Sequence, residues 1–85
     1  MKLVHREYLK IAETEYGAVL LDMKSGAYWE LNPTSATIVR ALLDGGRAED
    51  ATRRLTEEFD VDAERAAADV DGVLAAMAAA GVVAA

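Results

Sequence analysis

The chain has 85 residues, carries a net charge of −6 at pH 7 and contains no cysteine. That length supports one small domain, and the absence of thiols excludes both a disulfide framework and a thiolate zinc site. The charge is lopsided: residues 1–43 balance five basic against five acidic side chains, while residues 44–85 carry four against ten, which makes nucleic acid a poor partner.

Residues 1–7 show no element, and this arm is expected to be flexible. The opening MKLVHREYLK lacks an apolar signal core. No apolar run nears the roughly 20 residues of a membrane span. A cytoplasmic protein that engages no membrane is expected.

Leu9-Lys10-Ile11-Ala12-Glu13 alternates apolar and polar side chains, the pattern of a half-buried strand. Tyr16-Gly17 predicts a turn, and Ala18 to Asp22 a second strand. Lys24-Ser25-Gly26 is turn chemistry, with Gly26 free to take a positive φ. The third strand, Ala27 to Leu31, sets Tyr28 beside the only tryptophan, Trp29. Alternation places Trp29 and Leu31 on one face and Tyr28 and Glu30 on the other. The first pair is expected on the core side, and Tyr28 on the exposed face.

Helices follow. Asn32 suits an N-cap and Pro33 the first helical position. Ala36, Ile38, Val39, Leu42 and Leu43 then form an apolar stripe that ends at Gly45-Gly46. A second helix is expected from about Ala48 to Phe59, with Ala51, Leu55 and Phe59 on one face. Its cap is weak, because Gly46 or Arg47 must serve. Asp62 caps a third helix, Ala63 to Ala80, closed by Gly81. Ala66, Val70, Val73, Leu74 and Met77 make its core stripe.

Three strands followed by three helices predict a single α+β domain over residues 1–85. It is a three-stranded antiparallel meander followed by three helices, winged helix-turn-helix-like, with the hairpin as the wing. Such a fold suggests DNA binding. Here the third helix offers Asp62, Glu64, Asp69 and Asp71 against a single Arg65, the wrong set for phosphates and base edges. Catalytic groups are also lacking. His5 lies in the arm, Ser35 has no base nearby in sequence and reads as a capping helper, and Asp69 and Asp71 point apart at their spacing on a helix. No catalytic residue, metal or cofactor is assigned.

A binding module remains. One edge of the third strand is expected to lack a partner, and an extended peptide can add to such an edge. On the third helix, Arg65, Asp69, Gly72 and Ala76 form a strip beside the core stripe. Gly72 costs about 1 kcal/mol relative to alanine in mid-helix, and its smallness lets another group approach closely.

GAVLLD (Gly17 to Asp22), SGAYWELNPTSA (Ser25 to Ala36), ALLDGG (Ala41 to Gly46) and the spacing to FDVD (Phe59 to Asp62) recur in this order over nearly the whole chain, about Ile11 to Val83. In this the sequence resembles the PqqD-like RiPP recognition elements, in particular the small stand-alone members in lasso peptide clusters. The resemblance implies a winged helix-turn-helix-like fold that binds peptide instead of DNA. The leader of a ribosomally made precursor would lie as an extra antiparallel strand beside the third strand, with the third helix as the other wall. A separate leader protease, and then a cyclase, would act on the delivered precursor. Carried over, the strand wall is Tyr28, Trp29, Glu30 and Leu31. The helix wall is drawn from Arg65, Asp69, Gly72, Val73 and Ala76, with Ala67, Asp71 and Ala78 as the alternative flank. Arg47 departs from the Thr-like cap that the family often has there. An acidic winged-helix adaptor or transcriptional regulator that docks protein partners stays open beside this reading.

Overall fold

A computed structural model describes residues 2–84. Along the chain run β1 (Lys2–Leu3), a 3₁₀ turn (Arg6–Tyr8), β2 (Leu9–Thr14), β3 (Gly17–Asp22), β4 (Tyr28–Leu31), α1 (Pro33–Leu43), α2 (Ala48–Glu58), α3 (Ala63–Ala79) and β5 (Val83–Ala84). Strands β2, β3 and β4 form the expected antiparallel meander in that spatial order. The register sets Ile11 opposite Leu20 and Leu20 opposite Trp29. Leu9, Ile11, Ala18, Leu20, Trp29 and Leu31 thus share the face that packs on the helices.

Two local devices fix the β3–β4 hairpin. The Asp22 carboxylate accepts the Lys24 amide at 2.9 Å and the Ser25 amide at 3.4 Å. These hydrogen bonds, that from Lys24 foremost, hold its carboxyl below the ordinary carboxylate value. Gly26 takes φ 80°, the left-handed geometry that the sequence required there. At the far end of β3, a Cβ on Gly17 would stand 2.1 Å from the Leu31 carbonyl oxygen. Glycine is what lets β4 lie this close.

Helix α1 begins one residue after β4. Asn32 accepts the Ser35 amide at 2.8 Å and the Thr34 hydroxyl at 3.0 Å, and Pro33 occupies the first turn. Helix α3 starts in the same way, with Asp62 accepting the Arg65 amide at 2.8 Å. The weak point expected at α2 is Arg47, whose guanidinium has no acceptor. The structure shows a compensation not read from the sequence: the Asp50 carboxylate reaches back to the Arg47 amide at 2.7 Å. That amide first, and then Arg53 at 2.9 Å, hold the Asp50 carboxyl below its ordinary value.

The core is continuous. Leu20, Ile38, Val39, Leu55 and Val70 are almost fully buried, joined by Leu9, Leu42, Ala66, Met77, Val82 and Val83. Of the α3 stripe, Ala66, Val70 and Met77 are buried, while Val73 and Leu74 pack half-buried at the margin.

A second, two-stranded ribbon pairs β1 with β5, although no element is legible in the sequence at either place. The Val4 amide donates to the Val82 carbonyl at 2.7 Å, and the Val82 amide to the Met77 carbonyl at 2.9 Å. Arg6 also donates to the Leu43 carbonyl at the end of α1, at 2.8 and 3.2 Å. Met1, the first residue of the arm, lies outside the described residues. Among those described, no helix is long and apolar enough to cross a membrane.

Candidate functional site

Strand β4 pairs only with β3, so its other edge has no strand beside it among the described residues. The hydrogen-bond ladder tells which groups that edge presents. The Asp22 amide donates to the Ala27 carbonyl at 2.9 Å. Hydrogen-bonded pairs alternate along an antiparallel ladder, so Leu20–Trp29 and Ala18–Leu31 are the next such pairs in this register. On the other side of β3, the Met23 amide donates to the Tyr8 carbonyl at 2.9 Å, which leaves the intervening residues of β3 to bond β2, as the ladder demands. Trp29 and Leu31 therefore spend their main-chain groups on β3. Tyr28 and Glu30 direct theirs toward the open edge.

Beyond that edge lies an apolar cleft of about 220 Å³. Its sheet side is Leu20, Trp29, Glu30 and Leu31, and its helix side is Val73, Ala76, Met77 and Ala80. Ser35 and Val39 of α1 and Val82, just before β5, complete it. Glu30, whose side chain alternates to the other face, borders the cleft through its main chain and Ser35 adds a hydroxyl, so the cleft suits an apolar side chain. Burying one there would contribute about 1.5–3 kcal/mol. Trp29 and Leu31 are half-buried and pack on the core as well as lining the cleft.

Five of the nine residues named as walls meet here: Trp29, Glu30, Leu31, Val73 and Ala76. Tyr28 points to the opposite face of the sheet, 65% exposed, and reaches the edge through its main chain. Asp69, Gly72 and Arg65 do not line the cleft. They stand one to three turns before Ala76 and Val73 on the same face of α3, continuing that wall toward its N-terminus. Asp69 pairs with Arg65 at 3.5 Å. Gly72 is exposed, and a Cβ there would meet nothing within 4 Å. Ala67, Asp71 and Ala78, the alternative flank, are exposed and do not line the cleft.

The sequence reading missed Ser35, Val39, Met77, Ala80 and Val82 as lining residues, and also Leu20 on the sheet side. A signal existed for the first four. One residue separates β4 from α1, which forces the first turns of α1 against the end of β4. Met77 and Ala80 lie one and four positions beyond Ala76. For Val82 there was none, since its place follows from the unforeseen ribbon. Among the described residues no group of three or more His, Cys, Asp or Glu is placed to hold a metal ion.

Other proteins share this fold. One solved structure, described as lasso peptide synthetase B1 complexed with the leader peptide, matches with a TM-score of 0.74 and 39% identity over 94% of this chain and 92% of that one. A second, described as TbiB1 in complex with the TbiA(beta) leader peptide, matches with a TM-score of 0.79 and 26% identity over 96% of this chain and 93% of that one. No curated protein matches. Residues 17–83 match the family described as coenzyme PQQ synthesis protein D (PqqD). That span runs from the glycine beneath the end of β4 to the terminal ribbon and includes every wall of the cleft, so the chain belongs to the PqqD family, as a PqqD-like RiPP recognition element.

Proposed function

We propose that this chain is a non-catalytic binding protein for the leader segment of a ribosomally made precursor peptide. The leader adds as a strand to β4, against α3, and is thereby delivered to a separate leader protease, with a cyclase acting on the freed remainder. The chain works as one leader-binding domain, in the cytoplasm. The observation that carries the reading is the open main-chain edge of Tyr28 and Glu30 set directly beside an apolar cleft. An added strand satisfies its hydrogen bonds on the edge and buries alternate side chains in the cleft. The two similar structures, both complexes with leader peptides, support it.

Fluorescence polarisation with the labelled leader peptide of the 39%-identical structure tests the reading in the absence of any enzyme. Saturable binding is expected, lost on Val73→Asp while the domain keeps its helical circular dichroism. No binding at tens of micromolar protein, by about 50 μM, or binding indifferent to Val73→Asp, would overturn it.

A further inference from the structure

An added strand has two faces, and the cleft reads only one of them. Residues of the incoming strand that lie opposite Trp29 and Leu31 turn into the cleft. Those paired with Tyr28 and Glu30 turn to the other face of the sheet, because paired residues share a face. On that face, at the end of the sheet, the β2–β3 turn and the end of β4 enclose a second cleft of about 520 Å³. Glu30 is its one charged lining residue, with Tyr16, Thr14 and Asn32 the other polar side chains. The Tyr16 ring is 82% exposed.

Among the described residues, no cation of the same chain answers Glu30. Its cross-strand neighbour is Val19, and the diagonal ones are Gly17 and Leu21. Along its own strand face stand Tyr28 and Asn32. None of the ion pairs among the described residues, Arg40–Glu13, Arg53–Asp50, Arg54–Asp44 and Arg65–Asp69, includes it. A carboxylate, an aromatic face and a hydroxyl around an apolar floor of Val19 match one class of side chain. A lysine or arginine can lay its methylene stem on Val19 and set its charged head between Glu30 and Tyr16.

We propose that this second cleft is a subsite for a basic side chain of the bound peptide, the residue paired with Glu30, and that Glu30 selects for positive charge at that one position. The proposal rests on strand addition to β4. It assigns recognition to both faces of the added strand, with apolar side chains toward α3 and a basic one away from it. The charged position is flanked on each side by a position that faces the apolar cleft.

The test is a display library built on the leader peptide of the 39%-identical structure, each position replaced in turn by every residue, selected on the full chain. Wild-type protein is expected to enrich Lys and Arg over Asp and Glu by about fivefold at one position, flanked by positions that enrich apolar residues. Glu30→Gln should abolish the charge preference, Glu30→Lys should invert it, and Tyr16→Ala should reduce it. Glu30 and Tyr16 are both exposed, so thermal melts of the variants should stay close to wild type. Peptides enriched without any charge preference that follows residue 30 would overturn the subsite and leave strand addition standing. Retention of no peptide by folded wild-type protein would overturn both.

Discussion

Asn32 and Asp50 each serve a helix N-terminus, by opposite routes. Asn32 caps from outside the helix, while Asp50 sits inside α2 and bonds back to Arg47. The Asp50 carboxyl is held below its ordinary value by that amide and by Arg53. A lowered folded value means that its contribution is fully present above the unfolded value of about 3.9 and fades as pH falls through the folded one. Asp50→Ala should therefore lower the melting temperature at pH 7, and the gap to wild type should close below about pH 4. A gap that stays constant down to pH 2, by thermal melts across about that range, would mean that the carboxylate is not what holds the turn. Gly72 offers a complementary test. Gly72→Ala should raise stability by about 1 kcal/mol, because nothing within the chain crowds the added methyl. If a bound peptide approaches α3 closely there, the same substitution weakens binding. Chemical denaturation and peptide titration on this one variant are expected to move in opposite directions, and unchanged affinity would remove Gly72 from the wall.

At the scale of elements, β4 is half committed. Its alternate residues bond β3, and the others wait on the open side. An N-methyl scan along a bound leader peptide should find sensitive positions at every second residue, since only alternate amides of an added strand face β4. Uniform sensitivity, or none, would exclude pairing by strand addition. The order of elements was legible because its signals are local: period-two alternation in β2, the turn glycine at 26, and the Asn32-Pro33 start of α1. The placement of Trp29 and Leu31 on the helix-facing side follows from the same alternation. The β1–β5 ribbon was not legible, because two residues have no period and their pairing joins positions about eighty residues apart along the chain. The position of Asp50 three residues after Arg47 is the ordinary capping-box spacing, but with arginine at the cap the pattern does not announce itself. Nor could the sequence say that the cleft closes at Val73 and Ala76 while the same face of α3 runs on past it to Asp69. That depends on where β4 crosses the helix.

Over the whole molecule, residues 1–43, which hold the meander and α1, are electrically balanced, and the part beyond them, with α2 and α3, carries the net charge. The proposed peptide site lies on the seam between them. Association of a basic leader should therefore slow as salt rises from about 50 to about 500 mM, whereas dissociation, governed by main-chain pairing and the apolar cleft, should change little. Stopped-flow measurements of both rates would show it, and an association rate indifferent to salt would mean that the acidic half steers nothing. The alternation along β4 has one more consequence, for how precursor genes can vary. Edge bonding and side-chain facing share the same period, so a peptide can slide along β4 by two residues and still present a matching face, but never by one. On the proposed pairing, a single codon inserted within the paired segment of a leader flips every residue on one side of it to the opposite face, so that apolar residues there turn outward or a basic one turns into the cleft. The same codon inserted beyond that segment leaves docking intact and only lengthens the tether to the rest of the precursor. Length variation among leaders served by this protein should accordingly lie outside the strand, and any that falls within it should come in pairs of residues.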